Sequence, residues 1–247
     1  MQLLQSPLLQ NFSNLSHCFT SKKHGNLAFH VNDNIQNVIT NHKLLALKCK
    51  FKRSKLIYMR QIHSNYVHTI TDGDNFDTPP ICDAIITNKI NTPLMVMVAD
   101  CSPILFYDDK QKVIAVAHSG RAGTFNNIIQ ETLKSFTNNF NSKVEDIIVS
   151  IGASISQECY EVGREIYDEA KKLNLDYAIN IIDEKYYLDI RAILKKQLLN
   201  AGVTKFEISD ECNCCLKEKY YSYRGEGETG RFAGVIVLKS PAKIINV

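Results

Sequence analysis

No stretch of this chain carries the roughly 18 consecutive apolar residues that a membrane-spanning helix needs, so a helical integral membrane protein is excluded. Blocks of like charge are missing too. The longest basic cluster, Lys50 to Lys55, is interrupted by Phe51 and Ser54, and the formal net charge is only +3 over 247 residues. That excess is too small to mark a nucleic-acid or membrane partner. The opening residues, Met1 to Leu15, lack the basic start and long apolar centre of a secretory signal, so a cytoplasmic protein is expected. Disulfides rarely persist in that compartment, and the eight cysteines are expected as buried thiols, metal ligands or nucleophiles. Internal repeats, low-complexity tracts and Pro/Gly/Ser linkers are absent as well, so residues 1–247 read as one continuous domain.

What is present is an ordinary globular composition. Hydrophobic residues make up 45% and charged residues 22%, which supports a sizeable core without covalent staples. Short, β-rich apolar runs predict strands at Lys55 to Tyr58, Tyr66 to Ile70, Ala84 to Thr87, Leu94 to Ala99 and Ile104 to Tyr107. Further strands are predicted at Val113 to Ala117, Ile147 to Ile151 and Ala233 to Leu238. The charged run Asp108-Asp109-Lys110 suits a hairpin turn between two of them. Leu94 to Ala99 is apolar almost throughout, the pattern of a strand buried on both faces. Helical stripes run through Thr124 to Phe140, Val162 to Leu173 and Asp189 to Ala201, the last stopped by Gly202. Strands and helices mix without strict alternation. The expected fold is of the α/β (α+β) class, one or two mixed β-sheets flanked by helices on the outer faces.

Three contexts place a metal-capable side chain at a predicted strand end, where sites collect in layered α/β proteins. They are Gln61-Ile62-His63-Ser64, Ala99-Asp100-Cys101-Ser102-Pro103, and Ala117-His118-Ser119-Gly120-Arg121. Two imidazoles and one thiolate suit a catalytic zinc that keeps a fourth position open. Asp100 is placed to orient a ligand histidine from behind. The glycines after His118 lead into a helix start whose free amides suit an anion. The spacing alone leaves other readings open: core histidines, an inert buried thiol, or a Cys/His nucleophilic pair. Cys212-Asn213-Cys214-Cys215, read as lacking the two-residue spacer of a zinc knuckle and with no second Cys/His pair nearby, is expected as buried thiols rather than a structural zinc site. Tyr220-Tyr221-Ser222-Tyr223-Arg224 and Thr229-Gly230-Arg231 offer aromatic faces and guanidinium groups for a base and a phosphate. The same residues also fit a core strand with two surface arginines.

Taken in order, these segments resemble the YfiH-like laccase-domain family. Asn26-Leu27-Ala28-Phe29-His30-Val31-Asn32-Asp33 resembles the family's Asn-Leu…His-Val-Gly-Asp segment, and Gln61-Ile62-His63 its Gln-x-His. Ala99 to Pro103 matches Ala-Asp-Cys-x-Pro, and His118 to Gly123 is similar to His-Ala-Gly-Trp-Arg-Gly. Ile151 to Ile155 and Tyr160-Glu161-Val162 resemble Ile-Gly-Pro-x-Ile…Tyr-Glu-Val. Cys212, Tyr221 to Arg224 and Thr229 to Arg231 resemble Cys-Thr…Phe-Ser-Tyr-Arg…Thr-Gly-Arg.

The resemblance implies a layered α/β sandwich and a metal held by His63, Cys101 and His118, with zinc the expected ion and copper the alternative. It implies a catalytic group of Cys101, His118 and Asp100, and substrate contacts from Gln61, Ser119, Arg224, Arg231 and Lys22. The implied activity is phosphorolysis of purine nucleosides together with adenosine deamination, on a small-molecule substrate and phosphate. Two other activities attach to the family: copper-dependent oxidation of polyphenols, and hydrolytic editing of cytoplasmic cell-wall precursors. Two departures bear on substrate choice. Arg121 stands where the family has Trp, and Lys22-Lys23-His24-Gly25 replaces a longer arginine-bearing loop.

Overall fold

The computed structural model describes residues 3–240. Thirteen strands among these residues form three sheets. A four-stranded mixed sheet has the order β1 (Leu15–Phe19), β13 (Phe232–Leu238), β5 (Leu94–Val98), β2 (Ile57–Tyr58). A six-stranded mixed sheet has the order β12 (Lys205–Ile208), β8 (Ile147–Ile151), β6 (Ser102–Asp108), β7 (Val113–Ser119), β4 (Ala84–Thr87), β3 (Val67–Thr69). A small antiparallel sheet joins β10 (Ile179–Ile182), β11 (Lys185–Leu188) and β9 (Glu161–Val162).

The strand period of two explains how the layers stack. On β6, Ile104 and Phe106 face one way, and Leu105 and Tyr107 the other. The first pair packs with Ala115 and Ala117 of β7 against α3 (Ile128–Phe140) and α5 (Ile190–Ala201), through Ile129, Leu133, Phe136, Ile193 and Leu194. The second pair meets Ile114 and Val116 and, across the sheet interface, Leu94, Val96, Val98, Phe232 and Ile236 of the four-stranded sheet. The outer face of that sheet, with Met95, Met97, Ala233 and Val235, is covered by Leu45 of α1 (Ile35–Lys48). The order of layers is helix, sheet, sheet, helices. This is the expected sandwich, with helices on both outer faces. Each central strand is buried on both sides, and every residue of β5, β6, β7 and β13 is buried or nearly so. Among the described residues no helix is long and apolar enough to cross a membrane.

The structure corrects several sequence expectations. The helix expected over Thr124 to Phe140 is two helices, α2 (Arg121–Phe125) and α3. Asn127 adopts a left-handed conformation at φ 55° and caps α3 by accepting from Gln130 N. The helix expected from Val162 begins only at Arg164, as α4 (Arg164–Lys172), because Glu161 and Val162 pair with Tyr187 and Tyr186 of β11. The strand at Lys55 starts two residues late, behind a 3₁₀ turn over Arg53–Lys55. Elements absent from the sequence reading are β1, α1, the β10–β11 hairpin, β12, and the one-turn α6 (Tyr223–Glu226).

Register fixes what meets at one end of the large sheet. Ser102 pairs with Ser119 and Pro103 with His118, while Ala84 pairs with Ala117 and with Val67. The residues just before β6, just before β4, before β3 and at the end of β7 therefore share one rim. They are Cys101, Asp83, the Gln61–Ser64 loop and His118.

Candidate metal centre

His63, Cys101 and His118 present one donor atom each within 4.8 Å of one another. The Cys101 Sγ stands 3.9 Å from His63 Nε2, and the two imidazoles meet edge to face with ring centroids 4.8 Å apart. His118 is only 2% exposed, Cys101 is half-buried and His63 is exposed, so the group is walled on one side and open on the other. Gly120 forms the floor. A Cβ there would lie 2.8 Å from His63 Cδ2 and 3.0 Å from Cys101 Sγ, inside contact distance of both.

A residue that the sequence reading missed holds this arrangement. Asp83 is fully buried and takes five hydrogen bonds. The backbone N–H groups of Ile62, His63 and Ser64 donate at 3.2, 3.0 and 2.7 Å, the Ser64 hydroxyl at 2.7 Å, and His118 Nδ1 at 2.8 Å. Since Nδ1 is bonded to Asp83, Nε2 is the nitrogen of His118 left for the donor cluster, and it offers its lone pair once its own proton is displaced. Burial alone would push Asp83 up, but the bonds from His118 and Ser64 outweigh it and bring it down to about 2. The signal in the sequence was slight: one carboxylate inside Ile81-Cys82-Asp83-Ala84-Ile85-Ile86, just ahead of a buried strand.

The role expected of Asp100 is corrected. Its carboxylate does not bond a ligand histidine. Oδ1 accepts from Asn213 Nδ2 at 2.8 Å and from Ser222 Oγ at 2.6 Å, and Oδ2 accepts from Arg224 N at 2.7 Å. Asp100 therefore ties the Cys101 loop to the C-terminal loop. Its backbone is left-handed at φ 89°, and that of His63 at φ 60°. Such conformations cost about 1–3 kcal/mol in a non-glycine residue and persist only where surrounding bonds enforce them.

Electrostatics prepares the donors. Burial opposes ionisation of Cys101, but the His118 charge and the hydrogen bonds of both histidines draw its pKa below the usual thiol value. Burial likewise opposes a charge on His118, yet the Cys101 thiolate and the Asp83 bond raise it. A thiolate and an imidazole sharing one proton is the donor set that a metal ion takes over by displacing that proton. Two imidazoles, one thiolate, a carboxylate behind one imidazole and an open side fit a tetrahedral ion with one free position.

The centre lies in a cavity of about 820 Å³, large enough for a nucleoside-sized ligand. Phe29, Tyr58, Tyr160 and Tyr223 offer aromatic faces, and Arg60, Arg121, Arg224 and Arg231 offer positive charge. Of the substrate contacts implied by the resemblance, Arg224 and Arg231 line this cavity. Gln61 lines it as well, but its amide is bonded both ways to the Met97 backbone, at 2.8 and 3.0 Å. Ser119 turns its hydroxyl 2.7 Å to Thr124 Oγ1. Lys22 is not brought to the cavity: it pairs with Glu226 and lies over the Tyr221 ring. The helix start after His118 belongs to the five-residue α2, too short for much dipole. Arg121, at the family's Trp position, pairs with Glu169 at 2.6 Å. Arg60, Tyr160 and His30 are cavity residues that sequence reasoning did not assign.

A family model described as multi-copper polyphenol oxidoreductase laccase matches residues 16–239. The chain belongs to that family. This laccase-family chain is 33% identical over 236 residues to a purine nucleoside phosphorylase of Haemophilus influenzae, covering 89% of this chain and 93% of the relative. It is 35% identical over 219 residues to a purine nucleoside phosphorylase of Corynebacterium glutamicum, covering 88% of each. Its fold is similar to that of the hypothetical protein YfiH of Bacillus licheniformis, with a TM-score of 0.88 at 29% identity, over 94% of this chain and 96% of that one. The family match is the one the ordered sequence motifs had implied.

Proposed function

We propose that this protein is a zinc-dependent enzyme of purine nucleosides, catalysing phosphorolysis and adenosine deamination at the centre framed by His63, Cys101 and His118. The observation that carries the reading is the convergence of those three donors at the floor of a nucleoside-sized cavity whose walls are aromatic and cationic. The relatives named purine nucleoside phosphorylase match nearly the whole chain, which supports the substrate class.

When bound, zinc supplies Lewis-acid chemistry at the position that the three donors leave open. The chain's own residues do the rest. Tyr58, Tyr160 and Tyr223 give flat faces against which a purine can stack. Arg60, Arg224 and Arg231 supply the charge that phosphate needs, in planar forks that match its oxygens. Arg224 is held by its own backbone bond to Asp100 and by a 2.9 Å bond from its guanidinium to Glu161 O. Burial pushes the Tyr160 phenol up, so it stays protonated at neutral pH and is able to donate to a purine ring nitrogen. In phosphorolysis a phosphate oxygen bonds to C1′ as the bond to the purine nitrogen breaks. In deamination an oxygen from water bonds to C6 as ammonia leaves.

The test is incubation of zinc-replete protein with adenosine and phosphate, following inosine, adenine and hypoxanthine. Product formation lost in Cys101→Ala is the expected outcome. Product no greater than in that variant overturns the reading. The family's description favours a second reading, copper-dependent phenol oxidation. A multicopper cluster needs many paired histidines, and among the described residues the three-donor group holds two, His63 and His118. Stoichiometric copper with phenol oxidation in protein purified without added metal would replace the zinc reading.

A further inference from the structure

Three cysteines outside the cavity meet at one surface point, with a fourth in the same turn. The sulfurs of Cys159, Cys212 and Cys215 all lie within 4.8 Å of one another, and Cys159 Sγ is 3.3 Å from Cys215 Sγ. Cys214 lies in the same turn, half-buried, with its sulfur outside that group. The sequence expectation of buried thiols holds for Cys212 alone, since Cys159 and Cys214 are half-buried and Cys215 is exposed. The partner not visible near the run in sequence is Cys159, brought in from 53 residues upstream of Cys212 by the parallel bridge between Ser154 and Cys212. The expectation that the spacer is missing is corrected too: Cys212 and Cys215 have two residues between them, the spacing of a zinc knuckle.

We propose that Cys159, Cys212 and Cys215, with Cys214 of the same turn swinging in as the fourth ligand, form a second, structural metal site for zinc, which clamps the loop after β12 to the loop after β8. Zinc–sulfur bonds of about 2.3 Å hold tetrahedral sulfurs about 3.8 Å apart, a spacing the cluster reaches by small side-chain rotations. The backbone is already arranged for thiolate. Cys215 N donates to Cys212 Sγ at 3.4 Å, closing the turn within the two-residue spacer, and Ser156 N donates to the same sulfur at 3.3 Å. Amide bonds of this kind favour the charged sulfur that a metal requires. Four thiol ligands leave no open position, which makes the site structural, and thiolate softness selects zinc over calcium or magnesium.

The clamp bears on the cavity from two sides. Cys159 is followed at once by Tyr160, which lines the cavity. Asn213, between the other ligands, donates to Asp100 Oδ1 at 2.8 Å and to Tyr221 O at 2.8 Å. Asp100 in turn receives Arg224 N. Metal at the four cysteines therefore fixes the wall that carries Tyr160, Tyr223 and Arg224, and does so whatever reaction the cavity performs.

The test reads metal directly. Protein purified under reducing, zinc-replete conditions is expected to carry two zinc equivalents, and the Cys159→Ser/Cys215→Ser variant one. Cobalt is the spectroscopic probe. A His63→Ala/Cys101→Ala/His118→Ala variant, which lacks the donors in the cavity, is expected to show a thiolate-to-cobalt charge-transfer band. Adding Cys159→Ser/Cys215→Ser should remove it. Should the triple variant not fold, the same band is read as the difference between cobalt-loaded wild type and Cys159→Ser protein. Absence of the band, with the four thiols reacting freely with a thiol reagent, overturns the proposal. So does a mass two hydrogens lighter that maps to a Cys159–Cys215 disulfide in the zinc-replete protein. Neither result touches the nucleoside reading, whose readout is product.

Discussion

Asp83 joins three things: the loop that presents His63, the tautomer of His118, and the start of β4. A carboxylate is suited to this because it only accepts, and five donors converge on it. In Asp83→Asn an amide NH₂ would face donors it cannot accept from. The variant should lose about 10- to 100-fold in zinc affinity, as an outer partner of a ligand histidine does. It should also lose about 3 kcal/mol of stability from the stranded buried donors. Competition for zinc against a chromophoric chelator, alongside urea unfolding, checks both. Unchanged zinc affinity would show that His118 needs no carboxylate behind it. The three donor residues themselves were legible as candidates at strand ends, and the ordered motifs that resemble the family singled them out as a set. Asp83 was not, because an acid before a strand usually faces water, and only the tertiary fold shows that this one is sealed beneath a loop.

Elements were read best where burial is two-sided and uninterrupted. Ala84–Thr87 and Ile147–Ile151 were placed to the residue, as every side chain in them is buried. Helix α1 escaped notice because its buried stripe includes His42, while Leu44 and Leu47 face solvent at 51% and 75% exposure. Such a mixture erases the apolar period on which a sequence reading depends. The β10–β11 hairpin was missed for a related reason, with Ile181 and Ile182 both more than half exposed. The split between α2 and α3 was hidden because an asparagine in a helical pattern does not announce a left-handed turn. That turn predicts a contrast. Asn127→Ala removes the cap to Gln130 and forces a Cβ-bearing residue with no side-chain acceptor into left-handed space, costing about 2 kcal/mol. Asn127→Gly, which suits that conformation, should cost no more than about 0.5 kcal/mol. Urea unfolding of the two variants separates them, and equal losses would discard this account of the break.

Across the whole molecule, the four-layer stack buries groups that water would otherwise keep charged. His17 on β1 is 3% exposed, takes a bond from Ser6 N at 2.9 Å, and has its pKa lowered by burial from 6.5 to about 4. A folded pKa below the unfolded one means that stability is fully present above pH 6.5 and is lost as pH falls toward 4. The shift corresponds to at most about 3 kcal/mol, lost because the unfolded chain takes up the proton first. Wild-type protein should lose stability between neutral pH and about pH 4, and His17→Gln, which cannot titrate, should lose less over the same interval. Denaturant unfolding at the two pH values measures the difference. Parallel slopes would mean that His17 does not carry this loss.

The sequence by itself determined the class of fold, the central strands, the family and the three donors of the candidate metal centre. The fold class and the strands rest on periods of two and 3.6, and the family and the three donors on ordered motifs that resemble it; both survive without knowledge of what packs against what. The tertiary structure alone decided which carboxylate stands behind His118, that Lys22 turns away from the cavity, and that Cys159 meets Cys212 and Cys215. Each depends on the register of strands distant in sequence, where one residue of slip points a side chain to the opposite face. Local pattern carries no record of that choice.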